Sequence, residues 1–248
     1  MARAGQETRR SLADQVHDRL LDELMEGVRA ANDTLNIPVL EAEFGMSQTP
    51  IREALARLEH TGLVRRQALR GYRVAPLFTN EELSMLMDVR QLIEPELAYM
   101  ATVERTAPFL ESLERTVGTL GDASTGTGAE AFRAYWKSDS EFHSRIAEQA
   151  GNVFLLSAYR ALGPQIQRFR LIARRGANAT AAASSAAAVE HRSILDAIAS
   201  GDPMEAGARM SLHIARARSR ALGEDDRAVV PPFLGRDRLG GAHPGTHR

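Results

Sequence analysis

The chain has 248 residues, of which 31 are Lys or Arg and 32 are Asp or Glu, so its net charge is −1. This balance excludes a protein that coats nucleic acid by bulk charge, although it allows a local basic patch. The absence of cysteine excludes a disulfide scaffold, a thiolate zinc site and a cysteine nucleophile, so any metal must be held by nitrogen and oxygen ligands. No apolar stretch approaches the ~20 residues that a membrane span needs, and the charged start lacks a signal core, so we expect a cytoplasmic protein.

Changes in composition divide the chain into three predicted parts. Residues 1–76 mix helical periodicity with a short β-like ribbon, residues 80–222 are predicted to be helical throughout, and residues 223–248 combine Gly and Pro without a period, as disordered tails do. We therefore expect a mainly α protein with a small β wing and a C-terminal antiparallel helical bundle. Breaks between the helices of the bundle are predicted at 106–108, 118–128, 151–152, 163–164 and 201–203.

An amphipathic helix is predicted over Ser11–Val28, because Val16, Leu20 and Leu24 recur at four-residue spacing. A short apolar segment, Pro38–Phe44, follows and ends at Gly45.

A second helix is predicted to begin after Ser47, a good N-cap, with Pro50 in its first turn, where no hydrogen bond is lost. Gln48 opens that turn. One face would carry Ile51, Leu55 and Leu58, and the opposite face Thr49, Arg52 and Ala56. Two helices joined through a Gly turn, the second starting with small polar and Arg side chains, are typical of a helix-turn-helix.

A two-stranded wing is predicted after this helix, since Tyr72 and Val74 alternate with Arg73 and Gly71 allows a tight bend. Residues 47–76 contain six Arg against two Glu, an excess of +4 in a chain of net charge −1. Taken singly, each Arg is explained as a solvated side chain. Together with the cap, the turn and the helix, this charge favours a DNA-contacting surface.

The residues of this segment resemble the winged helix-turn-helix of the GntR family of bacterial transcription regulators. The resemblance is carried by Gly45, Ser47, Thr49-Pro50, Arg52 to Leu55, Leu58, Gly62-Leu63 and Gly71. It implies DNA contacts from Ser47, Thr49, Arg52 and Gly71, and the first turn and the basic wing add Gln48 and Arg70 as candidates.

Three positions depart from the family pattern. Gln48 stands where Arg is usual, Glu41 where a small apolar residue is usual, and Ala31-Asn32 where Pro-Gly is usual. Since Arg reads guanine and Gln suits adenine, we expect an operator that differs from the family pattern at that base.

Four polar side chains fall on the apolar faces of three predicted helices of the bundle: Asp139, His143, His191 and His213. Burying a bare carboxylate is costly, so Asp139 needs a partner. His–Asp ion pairs would serve, and a divalent metal would satisfy all four groups at once. The spacing alone leaves both explanations open.

Three segments resemble the FCD domain, the C-terminal ligand-binding module of FadR-type GntR regulators, over about residues 80–222. They are SDSEFHSRIAEQAGN, EHRSILDAIASGD and ARMSLHIARA. The resemblance implies that the Asp and the three His are metal ligands, with zinc first and nickel or manganese next.

The resemblance also implies effector-binding residues. Arg90, in a V-R-x-L-x-E pattern over 89–94, would meet an effector carboxylate, and Asn152 is a further candidate. The alternative for Arg90 is an ion pair with Glu94 at i, i+4.

These observations predict a ligand-controlled transcription regulator and not an enzyme. It would act as a homodimer on a pseudo-palindromic operator and respond to a small organic acid, with repression as the family's usual mode. Two alternatives are a regulator for which the metal ion itself is the effector and an Asp/His metalloenzyme. The sequence disfavours the enzyme, because no acid–base motif accompanies the metal ligands and the DNA-binding segment would be unexplained.

Overall fold

The structure is a computed structural model that describes residues 11–67, 71–126, 128–175 and 181–225. Its helices and strands, in chain order, are α1 Leu12–Glu26, β1 Thr34–Leu35, α2 Ile37–Phe44, α3 Gln48–His60, β2 Val64–Gln67, β3 Gly71–Val74, α4 Asn80–Val103, α5 Ala107–Thr125, α6 Gly128–Gln149, α7 Val153–Arg175, α8 Ala181–Ser200 and α9 Pro203–Leu222. The Cα positions form two compact units. One ends at Phe78 but also includes Leu162–Ile172 of α7, and the other begins at Thr79 and holds the remainder of the helical region.

The first unit is built around α1 and α3. Helix α1 begins with a capping box in which Asp14 N donates to Ser11 Oγ at 3.1 Å and Ser11 N donates to Asp14 Oδ2 at 3.0 Å. The apolar faces predicted for both helices are buried in one core, which contains Val16, Leu20, Leu24, Ile51, Leu55 and Leu58. Gly45 joins α2 to α3 at φ +63°, so the predicted helix-turn-helix is confirmed.

The sheet of this unit has three strands where the sequence predicted two. Its order is β1-β3-β2, with Leu35 opposite Tyr72 and Arg65 opposite Arg73. Strand β1 is two residues long, too short for an alternating pattern, yet Leu35 is fully buried there. Arg70, a predicted DNA contact, lies outside the described residues.

The second unit is helical, with α4 packed on α9 and α6, α5 on α6 and α8, and α8 on α9. One predicted break is wrong, because α7 continues through Gly163. The break predicted at 118–128 exists but is shorter, since α5 continues through Gly118 and Gly121 to Thr125 and α6 begins at Gly128. A Gly inside a helix costs only about 1 kcal/mol relative to Ala. In α5 the burial of Val117 and Leu120 offsets that cost.

The C-terminal prediction is only partly covered. Helix α9 ends at Leu222 and is capped by Gly223, whose φ is +76°, and residues 226–248 of the predicted tail lie outside the described residues. None of the helices described is both long enough and apolar enough to pass through a membrane.

Candidate metal centre and DNA-reading surface

Asp139, His143, His191 and His213 converge at one point in the second unit. Helix α6 supplies the first two, α8 the third and α9 the last, and one ligand atom from each lies within 4.8 Å of all the others. Asp139 Oδ1 lies 3.1 Å from His191 Nε2, which lies 3.3 Å from His143 Nε2. The structure therefore brings together all four predicted ligands from three separate segments.

The cluster is buried except at Asp139. His143, His191 and His213 are almost fully buried, whereas the Asp139 side chain is 15% exposed. Packing drives this burial, since Phe142 lies between the two α6 ligands in sequence and contacts the rings of His143 and His191 edge-on.

Each imidazole of the cluster has an oxygen within 2.8 Å of its Nδ1, which leaves Nε2 for the centre. Metal-binding histidines are usually held in this way, because the outer acceptor fixes the tautomer and the ring orientation. This donor set, three imidazoles and a carboxylate with outer acceptors, fits a divalent ion such as zinc. The acceptors are Glu94 Oε2, 2.7 Å from His143, the carbonyl oxygen of Ala187, 2.7 Å from His191, and Glu190 Oε2, 2.8 Å from His213.

The start of α3 forms the predicted DNA-reading surface of the first unit. Ser47, Thr49 and Arg52 are exposed, and the Ser47 side chain makes no capping hydrogen bond, so its hydroxyl is available to a ligand. The opposite face of α3 is the buried one that holds the helix in place.

At the wing, Gly71 begins β3 with φ +82°, a conformation that a side chain would strain. A Cβ there would also lie 3.2 Å from the Leu35 carbonyl oxygen. Arg65 and Arg66 are exposed on the neighbouring strand β2.

Comparison with known proteins finds two family matches along the chain. Residues 12–74 match the gntR family of bacterial regulatory proteins, and residues 85–216 match the FCD domain. The chain belongs to the GntR family and carries an FCD domain. It is thus a transcriptional regulator with a DNA-binding domain, and its relatives are regulators rather than enzymes.

Three similar proteins illustrate the relationship. The "Probable D-xylose utilization operon transcriptional repressor" of Paenarthrobacter nicotinovorans is 28% identical over 225 residues, which cover 90% of this chain and 95% of that protein. McbR/YncC of E. coli has a TM-score of 0.71 at 18% identity, over 87% of this chain and 99% of that one. A GntR regulator from Rhodococcus sp. RHA1 has a TM-score of 0.66 at 20% identity, over 85% and 97% of the two chains. The two solved structures show the fold.

Burial sets the charge state of His143 and His213 in this GntR regulator. It lowers the pKa of His143, against the opposing effect of the Glu94 carboxylate. Burial, together with the neighbouring His191, lowers the pKa of His213 to about 3. Both imidazoles are therefore neutral at pH 7, and the neutral form is the one that binds metal.

The two outer carboxylates stay ionised by a different balance. Burial opposes ionisation of Glu94, but the adjacent Arg90 guanidinium and His143 lower its pKa well below the usual range. For Glu190, His213 and Arg220 outweigh burial and lower the pKa to about 2. Each carboxylate thus pairs with an arginine on one side and holds a histidine on the other.

The two predicted effector-binding residues already have partners. Arg90 is almost fully buried and its Nε donates to Glu94 Oε1 at 2.6 Å, which is the ion pair that the sequence offered as the alternative. Asn152 Oδ1 accepts hydrogen bonds from the backbone N–H groups of Phe154 and Leu155, both at 3.1 Å, at the start of α7.

Sequence reasoning missed the outer acceptors. Glu94 appeared there only as the partner of Arg90. Glu190 is adjacent to His191 in sequence but contacts His213 on another helix, so no local spacing could indicate it. The signal that could have suggested Glu94 and Glu190 as outer partners is the presence of both Glu and His on the buried faces of the helices.

Proposed function

We propose that this GntR regulator is a homodimeric repressor whose operator affinity is controlled by a small carboxylate bound at a divalent metal, zinc in the first place. Asp139, His143, His191 and His213 would hold the ion. The observation that carries the proposal is the arrangement of the three imidazoles, each with an outer oxygen within 2.8 Å of its Nδ1.

The charge balance around the cluster favours an anionic effector. Glu94 is neutralised by Arg90 and Glu190 by Arg220, with Arg216 a further cation 3.7 Å from Glu190, so neither carboxylate adds net negative charge. A divalent ion with neutral imidazoles and the single charge of Asp139 would leave a net charge of +1 in a buried site. Since an unpaired buried charge is costly, a carboxylate that joins the ion would stabilise the loaded centre.

Arg90 and Asn152 could bind the effector only if they gave up or shared the hydrogen bonds that they now make. An effector carboxylate at the Arg90 guanidinium would compete with Glu94, which in turn holds His143. Effector binding at Arg90 would therefore reorient a metal ligand. The Asn152 side chain would have to bind the effector while its Oδ1 still accepts from the backbone N–H groups at the start of α7.

The dimer is supported by an apolar stripe on α4. Met85, Val89 and Leu92 follow one another at i, i+4 and i+7 and are exposed, Leu92 to 79%. A second copy of the chain would cover this stripe, and two DNA-binding units related by a two-fold axis suit a pseudo-palindromic operator. Repression is supported by the name of the Paenarthrobacter relative.

The test combines metal analysis with DNA-binding titrations. Protein dialysed after purification is assayed for bound metal. Its affinity for a duplex selected from a random library is then measured by fluorescence anisotropy under three conditions: with zinc alone, with a carboxylate alone (acetate, malate or citrate), and with zinc and the carboxylate together. We expect a DNA affinity about 5- to 150-fold weaker when zinc and the right carboxylate are both present. Release by zinc alone would favour the ion as effector, and no response to any combination would contradict the proposal.

Two variants separate the roles of the units. His143→Ala should lower the metal content and abolish the effector response while sparing DNA binding without effector. Arg52→Ala should weaken DNA binding while sparing the metal content.

A further inference from the structure

Glu41, Gln48 and Arg52 form a hydrogen-bonded chain at the start of the DNA-reading helix. Gln48 Nε2 donates to Glu41 Oε2 at 2.9 Å, and Arg52 donates from a terminal guanidinium nitrogen to Gln48 Oε1 at 3.3 Å. Glu41 lies on α2 and the other two on α3, so the chain crosses the turn at Gly45. Two of the three departures from the family pattern, at 41 and 48, are therefore in direct contact.

The chemistry of the two neighbours determines how the Gln48 amide is turned. An ionised Glu41 can only accept hydrogen bonds, so it must face the NH2 group. Arg52 can only donate, so it must face the carbonyl oxygen. Both neighbours select the same one of the two amide orientations.

A Gln48 amide held in this way still has one free donor and one free acceptor, the two groups that hydrogen-bond to adenine. After these two bonds, Nε2 has one N–H left and Oε1 has one lone pair left. Gln reads adenine by donating to N7 and accepting from N6, which needs one donor and one acceptor in a known order. A free Gln on an exposed turn would have to lose rotamer freedom on binding, whereas Gln48 is already ordered.

We propose that Glu41 is a positioning residue for base recognition, which fixes the Gln48 amide so that this side chain reads adenine in each half of the operator. The proposal rests on the DNA binding of the family and not on the metal or the effector. It carries an electrostatic cost, because the Glu41 carboxylate stands on a surface that approaches phosphates. Glu41 therefore increases sequence preference and decreases affinity for DNA of any sequence.

The experiment selects bound duplexes from a random library with full-length protein and reads the base frequencies at each position. In Gln48→Arg, one position per half-site should change towards guanine, which identifies the base that residue 48 contacts. That position should be adenine for the unmodified protein. In Glu41→Ala it should become degenerate.

Affinities measured on single duplexes make the expectation quantitative. Replacing that adenine by guanine should weaken binding of the unmodified protein about 5- to 100-fold, and binding of Glu41→Ala by less than about 3-fold. Glu41→Ala should also bind a scrambled duplex more tightly than the unmodified protein does.

Glu53→Ala is the matched control, because it removes one exposed carboxylate from α3 without touching Gln48. It should tighten binding to the scrambled duplex and keep the adenine preference. Circular dichroism melting verifies that every variant is folded. The proposal is overturned if Glu41→Ala keeps the adenine preference of the unmodified protein, or if Gln48→Arg changes no position of the selected sequence.

Discussion

Glu190 lies between His213 and Arg220: its Oε2 accepts from His213 Nδ1 at 2.8 Å, and both of its oxygens accept from the Arg220 guanidinium at 2.9 Å. Glu94 is placed in the same way between His143 and Arg90. Two carboxylate–arginine pairs thus hold two of the three imidazoles. Because each pair is internally neutral, it orients a histidine without adding net charge to the cluster.

We expect Glu190→Gln to lower the affinity for zinc about 10- to 100-fold, as loss of an outer partner of a metal ligand typically does. The amide can still accept from His213, but it no longer balances Arg220, so the orientation of the ring is less firmly held. Competition for zinc against a chromogenic chelator measures the effect. Glu205→Gln, which removes an exposed carboxylate paired with Arg209 on α9, is the control and should leave the affinity unchanged. An equal affinity in Glu190→Gln and the control would contradict the positioning role.

The metal-free protein should become less stable as the pH falls below neutrality. The pKa of His213 is about 3 in the folded chain and near 6.5 in the unfolded chain. Between these values only the unfolded chain takes up the proton, so the free energy of unfolding decreases as the pH falls through 6.5. The lowered pKa of His143 acts in the same direction.

Glu190 adds a second, more acidic contribution. Its pKa is about 2 in the folded chain against 4.5 in the reference state, so its stabilisation is complete above pH 4.5 and is lost as the pH falls towards 2. Melting temperatures in the presence of a chelator, at pH 7.5 and 5.5, test the histidine contribution. His213→Asn should show a smaller decrease between these two values, and a melting temperature that rises on acidification would refute the assignment.

The spacing of residues along single helices was sufficient to predict both the reading helix and the four candidate ligands. Ile51, Leu55 and Leu58 recur at the helical period, and Asp139 and His143 share a helix face, so local geometry alone indicated which side chains would be buried together. Their convergence with His191 and His213 needed the resemblance as well, because no local pattern determines how helices pack.

The features that the sequence did not reveal depend on tertiary contacts. Strand β1 exists because Leu35 pairs with Tyr72 and is buried, although two residues carry no strand pattern of their own. Helix α5 passes through Gly118 and Gly121 because its other side chains pack well enough to offset the weak helix propensity of glycine. The bond between Glu41 and Gln48 likewise depends on the angle at which α2 meets α3.

At Gly45 the cost of the backbone conformation can be measured without a change in side-chain packing. The φ of Gly45 is +63°, and a Cβ placed there would meet nothing within 4 Å. Gly45→Ala should therefore destabilise the first unit by about 1–2 kcal/mol, the cost of a left-handed conformation for a residue with a Cβ. Gly45→Asn should cost less, because Asn tolerates this conformation. Chemical denaturation followed by circular dichroism compares the two variants, and equal losses would show that the conformation of the turn is not what limits them.

The exposed stripe on α4 gives the most direct test of the proposed dimer. Leu92 is 79% exposed within one chain, so Leu92→Glu should change the free energy of unfolding of a single chain by no more than about 0.5 kcal/mol. In a dimer that covers the stripe, the same change would bury two unpaired carboxylates in the interface, which is strongly unfavourable.

Two measurements test this expectation. Light scattering after gel filtration should give the mass of one chain, 27.1 kDa, in place of two. The affinity for the operator should fall, because each molecule can then contact only one half-site. Met204→Glu, at an exposed apolar position in the first turn of α9, is the control and should leave both quantities unchanged. A Leu92→Glu protein that keeps the mass of the unmodified dimer would exclude α4 as the interface and redirect the search to the exposed Val153 and Phe154 at the start of α7.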